Sequence, residues 1–241
     1  MSISLQVAEE LLDAIEQDVL KALYGMAIFK QLNGAQFQRD RLRALISGRS
    51  LGMIHNHIRQ SLLNEFTLAI CRSSDPNNSK SERRSWPRLK ALIEPIQFDF
   101  IDRRLANDEI VNGQRGEQKT AQKQAEFAAE VCGFISDLKN FLKSSQLKRI
   151  RAERDNALAH NLNVERLGYT LGDADYVIQC SVDLLCQAKK VVSNQSYYPD
   201  YFIEEADIQS ERFWDLVTLG FEQNEKNSAE ELRLAKGQDR T

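Results

Sequence analysis

Apolar residues recur every three or four positions along nearly the whole chain, the spacing of one buried face on a helix. From Ser4 to about Leu32 the series is Leu5, Ala8, Leu11, Leu12, Ile15, Val19, Leu23, Met26 and Phe29, and Asn33-Gly34 stops it. A second long helix is predicted from about Phe37 to Ile70, with Leu42, Leu45, Ile58, Leu62 and Phe66 on its apolar face. Gly48 and Gly52 lie inside it, each costing about 1 kcal/mol relative to alanine. Ser73 to Ser85 reads as a loop, rich in serine and asparagine around Asp75-Pro76. Trp86-Pro87 opens a short helix through Ile93, since proline suits a first turn. Pro95 interrupts it, and an amphipathic piece runs on to about Val111.

After the break at Asn112-Gly113 and Gly116, the pattern from Glu117 passes through Phe127, Val131, Phe134, Ile135, Leu138 and Leu142. Ser144-Ser145 marks a junction before a helix carrying Arg154 and His160. Gly168 to Asp173 reads as a turn, with Gly172 or Asp173 capping a helix over about Ala174 to Ser193. A connector at Tyr197-Tyr198-Pro199 leads to a last helical patch, about Ile203 to Phe221. Nothing alternates in the manner of a strand. The expected fold is all-α: an up-and-down bundle of long helices with additional short and C-terminal helices. The expected division is a bundle over residues 1–195, a helical extension over 196–222, and a polar, disordered tail over 223–241.

Composition adds little until charge is read by position. The chain has 241 residues, 42% of them hydrophobic and 28% charged, with a net charge of −3. That balance is ordinary for a globular protein and gives no global argument for nucleic acid. The distribution is less even. Glu9, Glu10, Asp13, Glu16 and Asp18 make the first eighteen residues acidic, with no base among them. Between Lys139 and Arg154 the sense reverses: Lys139, Lys143, Lys148, Arg149, Arg151 and Arg154 stand against Glu153 alone. A local positive face is therefore expected just ahead of His160.

Cys71, Cys132, Cys180 and Cys186 are widely spaced, without a Cys-x-x-Cys pair, and the three histidines complete no zinc spacing. They read as reduced core thiols of a cytoplasmic protein, and no metal or cofactor is expected. The acidic N-terminus has no apolar signal core, and no run approaches the ~18 apolar residues of a membrane span. No membrane partner is expected.

The candidate chemistry lies in Arg154-Asp155-Asn156-Ala157-Leu158-Ala159-His160. Arginine can grip a phosphate with two donors, and histidine moves protons near neutral pH. Together in one cleft they suit RNA phosphodiester chemistry without a metal. The spacing alone is uninformative, because Arg49 and His55 match it equally well. Context favours the later pair: Asp155 follows the arginine, an Ala-His-Asn sequence ends the segment, and a basic stretch leads in. Six residues on an ideal helix are about 240° apart, so Arg154 and His160 need a bend, a helix end or a second chain to share a cleft. His55 and His57 face different directions on their helix and form a lesser constellation. The bland alternative is a surface Arg-Asp pair beside a satisfied histidine.

Two stretches resemble the HEPN superfamily (higher eukaryotes and prokaryotes nucleotide-binding domain), in its abortive-infection U-type (AbiU-like) branch of bacterial antiphage defence. One is Arg154 to Asn161, similar to the family's arginine, polar residue, spacer and Ala-His signature. The other is Ile70-Cys71-Arg72-Ser73-Ser74-Asp75 at the end of the second helix, followed by a polar loop and Trp86-Pro87-Arg88-Leu89. The resemblance spans about residues 5 to 195 and implies a helical bundle that pairs as a homodimer, with RNA as substrate and metal-independent endoribonuclease activity. By the same resemblance Arg154 binds the scissile phosphate, and His160 acts as general base or acid. Asp155 then orients the arginine or the partner's histidine. Lys148, Arg149, Arg151, Asn156 and Asn161 are the expected RNA contacts. A cognate antitoxin is a further expectation. Leu162 stands where many toxin members carry a tyrosine that a partner modifies, so control by tyrosine modification does not carry over. The alternative function is a non-catalytic dimerisation module, or RNA binding without turnover.

Overall fold

The computed structural model describes residues 3–33, 49–75, 85–112, 117–160 and 168–238, with the side chains of residues 3–4, 49–52, 54–55, 111–112, 117–118, 156–160, 221–222, 225 and 228–238 outside that description. All regular structure among the described residues is helical. In chain order it comprises α1 (Ile3–Asn33), α2 (Arg49–Ser74), α3 (Trp86–Ile93), a 3-10 turn (Glu94–Ile96) and α4 (Gln97–Asn112). There follow α5 (Glu117–Lys143), α6 (Ser145–His160), α7 (Leu171–Ser193) and α8 (Pro199–Gln238). The fold is all-α, and no described helix is long and apolar enough to cross a membrane.

Several boundaries follow from side chains that complete the helix ends. Ser144 alone separates α5 from α6, and its hydroxyl accepts the Leu147 backbone N–H at 3.3 Å, satisfying a first-turn donor. The cap of α7 is Thr170 rather than Gly172 or Asp173. Its hydroxyl accepts from the Asp173 N–H at 3.1 Å, while the Asp173 carboxylate accepts from the Thr170 N–H at 2.9 Å. This reciprocal box places the acid three residues inside the helix, a role glycine cannot fill. At the other end Asn194 takes the left-handed conformation, φ 54°, which a short amide side chain tolerates.

Helix α2 runs past Ile70 into serines that composition assigns to a loop. The hydroxyls of Ser73 and Ser74 turn back onto the Ile70 carbonyl at 3.0 and 2.6 Å, so both fit the last turn. The predicted start of this helix, residues 37–48, lies outside the described residues. Helix α8 continues past Gln223 to Gln238, through the stretch that polarity reads as disordered. The Glu, Ala, Leu, Lys and Arg content of that stretch favours helix by propensity, and Gln223 bonds Asn227 one turn on at 3.0 Å.

The residues fall into two units, one of Met1–Leu23 with Asn64–Ile203, the other of Tyr24–Leu63 with Glu204–Thr241. In the first unit α5 packs against α3, α4, α6 and α7. Phe127, Val131, Phe134, Leu138 and Phe141 form its buried stripe, spaced by three and four. Helix α7 is buried on most sides through Val177, Val182, Leu185, Ala188 and Val192. Ion pairs tie these helices to one another and to α1. Lys189 reaches Asp13 at 3.2 Å and Glu16 at 2.6 Å, and Arg104 and Lys190 share Glu130. Within the second unit Trp214 is buried and its indole N–H donates to the Ile28 carbonyl at 3.3 Å. The first unit holds the candidate site.

Candidate functional site

Helix α6 is anchored by a narrow apolar stripe. Leu147 and Ile150 are fully buried, and Glu153 continues the same three-residue spacing. Arg151 and Arg154, each one position beyond a stripe residue, are half-buried, while Lys148, Arg149 and Asp155 are exposed. The arginines meet the C-terminal end of α2, where the last carbonyls have no helical partner and the helix dipole is negative.

There the Arg154 guanidinium is gripped from two sides. Its Nη1 donates to both carboxylate oxygens of Asp75, at 2.6 and 2.7 Å. Its Nε donates to Asp155 Oδ1 at 2.9 Å, and Nη2 lies 2.8 Å from the same oxygen. The two carboxylates differ in shelter: the Asp75 side chain is 22% exposed and Asp155 66%. Beside them Arg151 donates to the Ser74 backbone carbonyl, one of the free carbonyls ending α2. The fully buried Cys71 lies one turn back.

The ionisation of these groups follows from the packing. Burial works against the charge on Arg154, but its hydrogen bonds to Asp75 and then Asp155 outweigh that, and its pKa is raised. For Arg151 burial prevails and the pKa is lowered. Burial pushes the Cys71 thiol up to about 12, so it stays protonated at neutral pH.

The chain leading into α7 is pinned to the same region. Glu153, buried next to Arg154 in sequence, accepts the Gly168 N–H at 2.8 Å. A Cβ at residue 168 would fall 2.6 Å from a Glu153 carboxylate oxygen, so any larger residue there would require that carboxylate to move. Tyr169 is buried, its hydroxyl 3.0 Å from that of Thr67 and its ring tilted against Phe66. Burial raises the Tyr169 pKa to about 12.

Of the residues singled out from the sequence, Arg154, Asp155 and Arg151 are brought together. Arg149 is directed elsewhere, to Asp173 of the α7 capping box at 3.1 Å. Its hydrogen bond is the main cause that holds the Asp173 carboxyl below the usual range. Lys148 is exposed and has no ion-pair partner among the described residues. The side chains of Asn156 and His160, and Asn161 as a whole, lie outside the described residues. Helix α6 is continuous through position 160, so the positions of Arg154 and His160 differ by about 240° around its axis. His57 is exposed and belongs to the second unit.

Cys71 and Cys186 are buried thiols as expected, but Cys132 is exposed, because it lies on the polar side of α5 away from the Phe127–Phe141 stripe. Asp75 was not singled out as a site residue. Its signal was its place in the Ile-x-Arg-x-x-Asp turn, but nothing in that turn says which cation the carboxylate meets. Among the described residues no group of three or more His, Cys, Asp or Glu is placed to hold a metal ion.

Comparison with known proteins adds one match. The family model described as AbiU2, a HEPN family, covers residues 6–194 of the chain. No curated protein and no solved structure matches it.

Proposed function

The chain belongs to the AbiU2 family, an abortive-infection branch of the HEPN superfamily, and from that premise we propose that it is a metal-independent endoribonuclease acting in antiphage defence or growth control. The observation that carries this reading is the held guanidinium of Arg154. It is a permanently charged donor fixed at both ends, with one edge on the exposed side of the site.

In this reading a phosphodiester displaces the exposed Asp155 carboxylate from the Nε–Nη2 edge. Two non-bridging oxygens then accept paired hydrogen bonds from Arg154, which stabilise the charge that develops in the transition state. Asp155 orients the guanidinium until RNA arrives. His160 serves as general base on the ribose 2′-hydroxyl or as acid to the leaving oxygen. The 2′-oxygen attacks phosphorus, the P–O5′ bond breaks, the 2′ proton passes to the base, and the 5′-oxygen gains a proton. The products are a 2′,3′-cyclic phosphate and a 5′-hydroxyl. Positions 154 and 160 lie on well-separated sides of one continuous helix, so the site is completed by a second copy of the chain, a homodimer pairing two α6 helices. Lys148 extends the contact along the RNA backbone, with Asn156 and Asn161. A cognate antitoxin is the corresponding regulatory partner.

A second reading is favoured by the same geometry. Every described contact of Arg154 is to a carboxylate of its own chain, as in a clamp joining α2 to α6 in a non-catalytic interaction module. Incubating purified protein with RNA in EDTA separates the two. Cleavage leaving 2′,3′-cyclic phosphate ends supports the nuclease, and intact RNA supports the clamp.

A further inference from the structure

Arg154 has five N–H donors, and its contacts within the chain account for at most four of them. The two acids that take them are not equivalent. Asp155 is an exposed neighbour in sequence, on the Nε–Nη2 edge that matches the spacing of two phosphate oxygens. Asp75 directly follows the last residue of α2, is largely sheltered, and takes the opposite end with both oxygens. Its backbone is held as well. Its backbone N–H continues the last turn of α2, donating to the Cys71 carbonyl at 2.8 Å. The preceding carbonyl, of Ser74, is held by Arg151.

We propose that Asp75 is the positioning residue of the site, holding the Nη1 end of Arg154 so that the Nε–Nη2 edge remains directed at the position where an RNA phosphodiester exchanges with Asp155. The inference rests on the ribonuclease reading and adds a residue to it. An arginine side chain has four rotatable bonds, and left free its guanidinium samples many orientations. Fixing one end removes that freedom before substrate arrives, which acts on the transition state more than on ground-state binding. Asp75 itself touches no reacting atom.

The test uses the full chain with Asp75→Asn, which keeps shape and one acceptor but loses charge, and Asp75→Glu, which keeps charge but displaces it. In cleavage of a fluorescent RNA oligonucleotide in EDTA, Asp75→Asn is expected to lower kcat about tenfold with KM moving less than about threefold. Asp75→Glu recovers part of the loss. In a nitrogen-15 side-chain spectrum the Arg154 Nε–Hε signal, identified by its disappearance in Arg154→Lys, shifts and exchanges faster with water in Asp75→Asn. An unchanged signal, or an unchanged kcat in an active enzyme, overturns the proposal. If the wild-type protein leaves RNA intact, the ribonuclease reading fails, and the hold on Arg154 is judged by the nitrogen signal alone. Should Asp75→Asn not fold, Asp75→Glu carries both measurements, and wild-type values in it overturn the proposal equally.

Discussion

Arg154 and Asp75 are 79 residues apart in sequence, and Nη1 of the arginine bonds both carboxylate oxygens of the aspartate, at 2.6 and 2.7 Å. The contact joins the two short stretches through which the chain resembles its family, the turn ending α2 and the Arg154 to Asn161 segment. Each stretch is degenerate alone. Their meeting gives them a common physical purpose, the placing of one guanidinium.

A double-mutant cycle on Arg154→Ala and Asp75→Ala, read by urea unfolding, is expected to show a coupling of about 1–3 kcal/mol, the range for hydrogen bonds to charged groups. The Arg154–Asp155 cycle should give less than about 1 kcal/mol, because Asp155 is exposed and screened. Equal couplings would contradict the division between a sheltered anchor and an exposed placeholder.

Asp155→Asn tests that placeholder role from the substrate side. An amide is a weaker competitor than a carboxylate for the Nε–Nη2 edge. KM for an RNA oligonucleotide should therefore fall several-fold, roughly 1 kcal/mol of tighter ground-state binding. A raised KM would mean that Asp155 helps to hold the substrate instead.

The helices were legible because their apolar spacing is regular, as on α5, where Phe127, Val131, Phe134 and Leu138 are all buried. Ser144 was readable as a junction from its position between two such patterns. Where polar residues choose between loop and helix, local composition misleads. Ser73 and Ser74 join α2 because their hydroxyls find the Ile70 carbonyl. The site shows the same limit. Arg154 and Asp155 could be singled out as neighbours, but Asp75 acquires its meaning only from a tertiary contact that no spacing encodes. Arg149 looked like an RNA contact beside Arg151, yet it is drawn to Asp173, an acid that the sequence marked only as a helix cap.

That cap offers a separate check on the fold. Thr170→Ala removes the hydroxyl that accepts the Asp173 N–H and should cost about 1 kcal/mol in urea unfolding. By contrast Ser136→Ala, at an exposed position inside α5, should be near neutral or slightly stabilising, alanine being the better helix former. A Thr170→Ala protein as stable as wild type would place the cap elsewhere.

Acid should destabilise the protein in a predictable direction. The Asp173 carboxyl is held low by its hydrogen bond from Arg149 and then by the Thr170 N–H. At Glu130 burial opposes ionisation, but the hydrogen bonds from Lys190 and Arg104 prevail and the pKa is also lowered. Groups with depressed folded-state pKa values contribute fully above the ordinary carboxylate pKa, about 4, and lose that contribution as pH falls through the folded value. Unfolding free energy should thus be level from about pH 7 to 5 and decline below about pH 4. Asp173→Asn should be less stable than wild type at pH 7, with the gap closing on acidification. A gap that widens in acid would contradict the assigned pairing.

Metal-free RNA cleavage by Arg154 and His160 is tested by the rate at which the wild type, Arg154→Ala and His160→Ala cut RNA in EDTA. Circular dichroism melts establish first that all three are folded. Expected are cleavage by the wild type with 2′,3′-cyclic phosphate ends and a loss of about a hundredfold or more in each variant, the scale of a lost electrostatic or acid-base contribution. RNA left intact by the wild type, or cut at wild-type rate by either folded variant, would contradict this assignment.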